Sequence, residues 1–198
     1  MVIMIGRFQP FHSGHFIGLD SILKKFNARE IEIIVVQKIG NIDLYKNPIP
    51  LDLNVKYLKE CLSEKYGNTY DIKVFGVYYR NYLDILLKLI NFFSYDKSKK
   101  YILVTADIKR LIMFKITSIL YKLFGINLRI FYLPRVTSGT KIRESIRRGE
   151  LDYFKYIPCP KDEIIYYINA PAGIRTRVAG LEGPHPTTRR RVHITKKY

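Results

Sequence analysis

A chain of 198 residues with 47% hydrophobic content is long enough for one α/β domain with a sizeable core. Its two cysteines, Cys61 and Cys159, lack metal-like or redox-like neighbours, so we expect two reduced thiols and no His/Cys zinc centre. The N-terminal apolar run is too short for a signal peptide, and Lys or Arg interrupts the apolar helices before a membrane span is reached. We therefore expect a soluble, cytoplasmic protein.

Apolar strands and amphipathic helices alternate along the first 150 residues. We predict strands at Val2–Ile5, Ile31–Val36, Ile72–Val77, Tyr101–Thr105 and Leu128–Leu133. We predict helices at Gly14–Asn27, Leu51–Tyr66, Asn81–Phe93, Ile108–Phe124 and Lys141–Gly149, and a small C-terminal helix at Lys161–Ile168. This order is typical of a Rossmann-like, doubly wound parallel sheet of five strands with helices on both faces. Such a sheet binds ligands at the carboxyl ends of its strands, where the strand order reverses.

The loop between the first strand and the first helix reads Gly6-Arg7-Phe8-Gln9-Pro10-Phe11-His12-Ser13-Gly14-His15. A helix start presents free N–H groups and the positive end of the helix dipole, both of which favour anions. His12 and His15 are expected in the first turn, where a spacing of three places both imidazoles on one face. Gly14 between them lets a nucleotide lie close to the backbone. The run predicts a phosphate site rather than two core histidines.

A second run, Ser138-Gly139-Thr140-Lys141-Ile142-Arg143, follows the fifth predicted strand and begins an amphipathic helix. Ser138 and Thr140 can cap this helix or donate hydroxyl groups to phosphate oxygens. Lys141 and Arg143 put two cations where the helix dipole disfavours them, which indicates that an anion binds there. Since both runs follow strands of one sheet, we expect them to line a single crevice.

The composition changes near residue 170, where Gly, Pro, Arg and Thr replace Ile, Leu, Tyr and Lys. We expect a domain over residues 1–170 and a basic, disordered tail over residues 171–198, which holds seven Lys or Arg residues and one Glu. The stretch Gly173-Ile174-Arg175-Thr176 can be encoded by the complement of a transfer RNA T-arm. Our hypothesis is that the reading frame runs antisense into a neighbouring tRNA gene.

The net charge of +17 favours binding to polyanions. However, Tyr78-Tyr79 and Tyr166-Tyr167 lack the paired-strand aromatic pattern of an RNA-binding sheet. A nucleotide-binding crevice also requires cations. We therefore assign the charge to nucleotide phosphates and do not predict nucleic acid as the primary partner.

The first run resembles the signature of the archaeal-type nicotinamide mononucleotide (NMN) adenylyltransferases, of the His-x-Gly-His nucleotidylyltransferase superfamily. The run from Ser138 to Arg143 is similar to the motif that closes the same active site in that family. The resemblance implies transfer of an adenylyl group from ATP to the phosphate of NMN, giving NAD and pyrophosphate by direct in-line displacement. The attacking phosphate oxygen is already an anion, so the reaction needs no covalent intermediate and no general base. Members of the family often form homo-oligomers, which is a possible state here.

The resemblance also implies roles for individual residues. The catalytic residues would be His12, His15 and Arg143, which contact the triphosphate in the transition state. ATP and its phosphates would be bound by Gly6, Arg7, Phe8, Gly14, Ser138, Gly139, Thr140 and Lys141. Mg²⁺ would be held mainly by the ATP phosphates, with water completing its shell. The sequence shows no dedicated carboxylate cage for it, although Asp43 and Asp107 are candidates.

The middle of the chain departs from this family. Gln37-Lys38 replaces a Gly-Ser turn after the second strand, Asn54 falls at the position of a phosphate-binding arginine, and Thr105-Ala106-Asp107 replaces Ser-Gly-Asn. The tryptophan that would stack on nicotinamide is missing, because the chain contains none.

These departures leave the acceptor open. Tyr79 or Tyr82, near Asn81, could provide the stacking ring. We predict that Asn81, Tyr82 and Asp107 bind the acceptor. A related nucleotidylyltransferase could use another phosphorylated acceptor, such as phosphopantetheine, a flavin mononucleotide or an alcohol phosphate like phosphocholine, or CTP as the donor. An inactive nucleotide- or RNA-binding relative is the third alternative.

Overall fold

The computed structural model describes residues 1–40, 45–67, 69–94, 96, 98–134, 138–150, 155–159 and 162–170. The strands are β1 (Val2–Gly6), β2 (Glu30–Lys38), β3 (Asp71–Tyr79), β4 (Lys100–Thr105) and β5 (Asn127–Tyr132). The helices are α1 (Ser13–Phe26), α2 (Leu51–Tyr66), α3 (Tyr82–Ser94), α4 (Ile108–Leu123), α5 (Gly139–Arg147) and α6 (Asp162–Asn169). The predicted alternation is confirmed, and no boundary differs from its prediction by more than two residues. The predicted tail and Asp43 lie outside the described residues.

All five strands are parallel and lie in the order β3-β2-β1-β4-β5, which confirms the predicted fold class. The chain builds the sheet outward from β1 to β3 and then crosses back to place β4 on the other side of β1. Val2 of β1 is therefore opposite Ile31 on one side and Ile102 on the other. The strand order reverses between β1 and β4, so the loops that follow these two strands diverge and leave a crevice.

Two apolar clusters sandwich the sheet. Alternate residues of a strand point to opposite faces, so Val2 and Met4 of β1 belong to one cluster and Ile3 to the other. The first cluster contains the buried faces of α1, α2, α5 and α6, and the second contains those of α3 and α4. Burial on both faces explains why the strands are nearly continuous runs of Ile and Val.

The prediction of two reduced cysteines is wrong, because Cys61 and Cys159 form a disulfide with Cα atoms 5.6 Å apart. Cys61 is fully buried on α2, and Cys159 lies shortly before α6. Both helices pack on the same face of the sheet, which brings the two sulfur atoms together. Since 98 residues separate them, no local sequence pattern could reveal that they are neighbours.

Among the described residues, no helix has both the length and the apolar character needed to cross a bilayer.

Candidate active site

The two sequence motifs meet in a crevice of about 180 Å³ at the carboxyl ends of β1 and β4. Its walls are the loops that follow β1, β4 and β5, together with the first turns of α1 and α5. Most of the predicted site residues line it, namely Gly6, Arg7, Phe8, His12, Gly14, His15, Asp107, Ser138, Gly139, Thr140 and Arg143. Lys141 is exposed and does not line it.

The two histidines lie together at the start of α1. His12 is the N-cap residue, one position before the helix, and His15 is the third helical residue. Their rings stack with centroids 3.7 Å apart, and the rings of Phe8 and Phe11 pack against His15. The backbone N–H of His12 donates to Nδ1 of His15 at 3.1 Å. Because Nδ1 accepts this bond, Nε2 carries the hydrogen of the neutral His15 ring and is the nitrogen that can donate to a ligand.

Arg143 is buried in the wall of the crevice with only 5% of its surface exposed. Its guanidinium donates through Nη1 to the main-chain oxygen of Gln9 and through Nη2 to Oγ1 of Thr140 at 3.2 Å. Both acceptors are neutral, and within the described part of the chain Nε has no hydrogen-bond partner. Burial, together with nearby Arg147 and Arg7, lowers the pKa of Arg143 to about 10, so it remains a cation at neutral pH. A buried cation without a bonded carboxylate favours the binding of an anion.

Glycines allow the two motifs to approach each other closely. A Cβ atom at Gly139 would lie 3.2 Å from the main-chain oxygen of Gln9 in the other motif. Within the first motif, a Cβ atom at Gly6 would lie 2.9 Å from the Phe8 ring, so this loop is also tightly packed. Ser138, the N-cap residue of α5, makes no capping hydrogen bond with its side chain. The first turn of α5 is therefore set against the loop after β1, and its backbone lines the crevice.

Asn54 holds the first motif in place. It is fully buried on α2, and its Nδ2 donates to the main-chain oxygen of Arg7 at 2.8 Å. Arg7 in turn donates to Oδ1 of Asn47 at 3.1 Å, and the Gln9 amide exchanges two hydrogen bonds with the backbone of Ile49. A fully buried Asn54 cannot contact a ligand in place of the family arginine. Its structural role is to position the backbone of the loop after β1.

Sequence reasoning missed Lys46, which lines the crevice from the segment that precedes α2. The sequence offered little signal for it, because a single lysine in a loop is usually solvated. Lys46 adds a cation to a wall that already holds Arg7 and Arg143.

A second cavity, of about 250 Å³, lies between α3 and α4 at the ends of β2 and β3. Polar groups reach it from Lys38, Tyr79, Asn81 and Tyr82, and the remaining lining is apolar. Ile5 lines both cavities, so the two adjoin across β1. The structure thus separates the predicted acceptor residues, because Asn81 and Tyr82 lie in the second cavity and Asp107 lies in the crevice.

The described residues offer little to bind a metal ion without help from a substrate. Over these ranges, no three His, Cys, Asp or Glu side chains come together to form a metal site. Among the described residues that line the crevice, Asp107 is the single carboxylate. One carboxylate suits Mg²⁺, which commonly keeps several waters and binds through substrate phosphates.

The cytidylyltransferase-like family model matches residues 3–145, a range that includes both motifs. No curated protein sequence matches the chain significantly.

Solved structures with a similar fold include the NadR protein in complex with NR, at 18% identity and a TM-score of 0.58, over 79% of this chain and 42% of that chain. A bifunctional NMN adenylyltransferase/ADP ribose pyrophosphatase from Francisella tularensis is 15% identical with a TM-score of 0.58, over 94% of this chain and 57% of that chain. The same bifunctional protein in complex with AMP and a Mn ion is 16% identical with a TM-score of 0.55, over 93% and 56% of the two chains. The chain spans about half the length of these proteins.

Identities this low show a shared fold only. The family match is broader evidence, because it extends over most of the chain and contains the loops that form the crevice. The chain belongs to the cytidylyltransferase-like family.

Proposed function

We propose that this protein transfers the adenylyl group of ATP to the phosphate of NMN and releases NAD and pyrophosphate. The observation that carries the proposal is the convergence of His12, His15 and the buried cation Arg143 on one crevice. Family membership supports a nucleotidyltransferase. A solved protein of similar fold that carries the name NMN adenylyltransferase supports the choice of NMN as the acceptor.

The proposed reaction is an in-line displacement at the α-phosphorus of ATP. A phosphate oxygen of the acceptor attacks this phosphorus, the bond to the bridging oxygen of the β-phosphate breaks, and pyrophosphate leaves with the electron pair. Because the attacking oxygen is already ionised, the protein contributes positioning and charge stabilisation. This requirement agrees with a crevice rich in imidazole and guanidinium groups.

In this proposal, His15 donates its Nε2–H to a phosphate oxygen of the triphosphate. His12, at the start of α1, contacts the triphosphate beside His15. Charge shifts from the acceptor toward the departing pyrophosphate as the reaction proceeds. Arg143 and Lys46 offset the charge that develops there, and Ser138 and Thr140 contribute hydroxyl groups. Donors that are already fixed in place need no rearrangement in the transition state, which is the main source of their effect.

Mg²⁺ would bind to the ATP phosphates, where it would neutralise part of their charge. Asp107 is the residue of the crevice that would hold its hydration shell. The bifunctional protein of similar fold that was solved in complex with AMP and a Mn ion supports the use of a divalent metal.

The second cavity is our candidate site for the base of the acceptor nucleotide. It adjoins the crevice at Ile5, so an acceptor with its phosphate in the crevice can extend its base between α3 and α4. The rings of Tyr79 and Tyr82 can pack against a planar base. The Asn81 side chain can bond a carboxamide with both its donor and its acceptor.

The test is to incubate the full chain with ATP and Mg²⁺ and with each of several acceptors, namely NMN, flavin mononucleotide, phosphopantetheine and phosphocholine. Pyrophosphate and NAD are measured, and CTP replaces ATP in a parallel series. NAD formation supports the proposal. Pyrophosphate formed only with another acceptor, or only with CTP, assigns the same chemistry to a different substrate pair. No pyrophosphate with any pair contradicts a transferase and favours a nucleotide-binding protein.

A further inference from the structure

Helix α4 is apolar on both of its sides. Its inner side buries Phe114, Thr117 and Tyr121 against the sheet. On the opposite side, Ile112, Ile116, Ile119 and Leu123 form an aliphatic row whose members are exposed by 56%, 64%, 65% and 79%. A contiguous exposed apolar row beside charged residues is typical of an interaction surface, so this row calls for a partner.

The row is large enough for a stable interface. Ile108, Leu120 and Phe124 extend it at its ends and along one flank, and each is at least 42% exposed. Together the seven side chains expose on the order of 700 Å², above the roughly 300–600 Å² of the largest patch on a typical monomer and near the about 800 Å² that each partner buries in a standard interface.

The spacing of the aliphatic row is the same when read in either direction. Its four members are separated by four, three and four positions, which is the spacing of a helix–helix seam. An antiparallel second copy would place its Leu123 opposite Ile112 and its Ile119 opposite Ile116. An isologous two-fold interface requires this kind of self-complementarity. We propose that two copies of this chain associate through the aliphatic rows of their α4 helices.

The charges beside the row allow an experiment to distinguish a second copy of this chain from other partners. Helix α4 contains no Asp or Glu, and its exposed Lys115 and Lys122 lie along one edge of the row. A two-fold axis perpendicular to antiparallel helices brings the lysines of both copies to the same side of the seam. Salt screens this repulsion, so the dimer should become tighter as ionic strength rises. Binding of the row to an acidic protein or an anionic membrane would instead become weaker as ionic strength rises.

The experiment measures the molar mass of the full chain by analytical ultracentrifugation over a range of protein and salt concentrations. We expect a monomer–dimer equilibrium that shifts toward dimer at high salt. Ile116→Glu and Leu123→Glu should each give a monomer, because two carboxylates would be buried at the seam. Since both side chains are already exposed, circular dichroism and Tm should stay near the wild-type values. The matched control is Leu87→Glu on α3, a 52% exposed position outside the row, which should leave the dimer intact.

A wild-type chain that stays monomeric at every concentration and salt would overturn the proposal. A dimer that survives both row substitutions would also overturn it, because the interface would then lie elsewhere. Co-sedimentation with phosphatidylserine vesicles that is lost in Ile116→Glu would assign the row to a membrane and contradict the dimer. All of these readouts are independent of catalysis, so the proposal does not depend on the proposed function.

Discussion

The guanidinium of Arg143 donates a hydrogen bond to the main-chain oxygen of Gln9, although 134 residues separate them in the chain. The bond attaches the first turn of α5 to the loop after β1, so this side chain helps to hold the two halves of the crevice together. The cation that should stabilise the leaving group therefore also links the two walls of the site.

Arg143→Lys separates these two functions, because lysine retains the charge but cannot reach Gln9 and Thr140 with one planar group. We expect kcat of the adenylyl transfer to fall by about 100-fold, the scale of losing one fixed transition-state donor. The control is Arg129→Lys at an exposed position of β5, which should change neither kcat nor KM. An unchanged kcat in Arg143→Lys would show that charge alone is sufficient.

His15→Ala should lower kcat far more than it raises KM, because its contact with phosphate strengthens in the transition state. A decrease of about 100-fold is expected from the loss of one such donor. Ile17→Ala tests the same helix at a 51% exposed position and should leave both constants unchanged. Normal turnover in His15→Ala would remove His15 from the proposed role.

Lys46→Ala should lower kcat/KM for the triphosphate by about 10-fold, since a hydrogen bond to a charged group contributes roughly 1.5–3 kcal/mol. Lys141→Ala is the matched control, because Lys141 is exposed and lies outside the crevice. Initial rates at varied ATP would separate the two variants. Equal losses in both would indicate a general effect of surface charge rather than a contact in the crevice.

The buried carboxyl of Glu32 should make the stability of the protein depend on pH. It is 8% exposed on β2, its Oε2 has no hydrogen-bond partner among the described residues, and burial raises its pKa above the usual 4.5. The pKa of this carboxyl is higher in the folded state than in the unfolded chain. Its contribution to stability is therefore complete below pH 4.5 and is lost as the pH rises through the pKa of the folded state. Glu32→Gln should therefore increase the free energy of unfolding at neutral pH by about 1 kcal/mol, and by less in acid.

Urea unfolding of wild type and Glu32→Gln at neutral pH and below pH 4.5 checks this expectation. Glu30→Gln is the control on the same strand, because Glu30 pairs with Lys99 at 2.7 Å and is 41% exposed. Removing that pair should decrease stability slightly or leave it unchanged. A neutral-pH loss of stability in Glu32→Gln would mean that the ionised carboxylate is favourable where it lies.

We also propose that residues 171–198 do not contribute to the domain. A chain that ends at Ala170 should keep the Tm and kcat of the full chain and should bind heparin less tightly, because it loses seven basic residues. A fall in Tm would show that the tail packs on the domain. A genome without a tRNA gene at the end of the reading frame would contradict the read-through hypothesis.

The parts of the fold and site that follow from local patterns were predictable. Strand and helix periodicity placed each element of the described ranges within two residues, and the two motifs are contiguous runs whose helix starts can be read directly. The remaining features depend on long-range packing. From the sequence, Asn54 takes the place of a phosphate-binding arginine of the family. Its complete burial, which gives it a structural role instead, becomes visible only in the structure. Nothing in the sequence marked Lys46 as a residue of the crevice, because a single lysine in a loop is usually solvated. The position of Asn81 in a separate cavity depends on how α3 packs on the sheet.

The disulfide between Cys61 and Cys159 closes a covalent ring that contains Asp107 and the motif from Ser138 to Arg143 and leaves His12 and His15 outside. A single backbone cut anywhere between the two cysteines would leave both fragments attached to each other through sulfur. A cut in the loop before α2 would instead free the segment with the histidines from every covalent link to the ring. The two halves of the crevice therefore differ in their tolerance of chain breakage, although they form a single site.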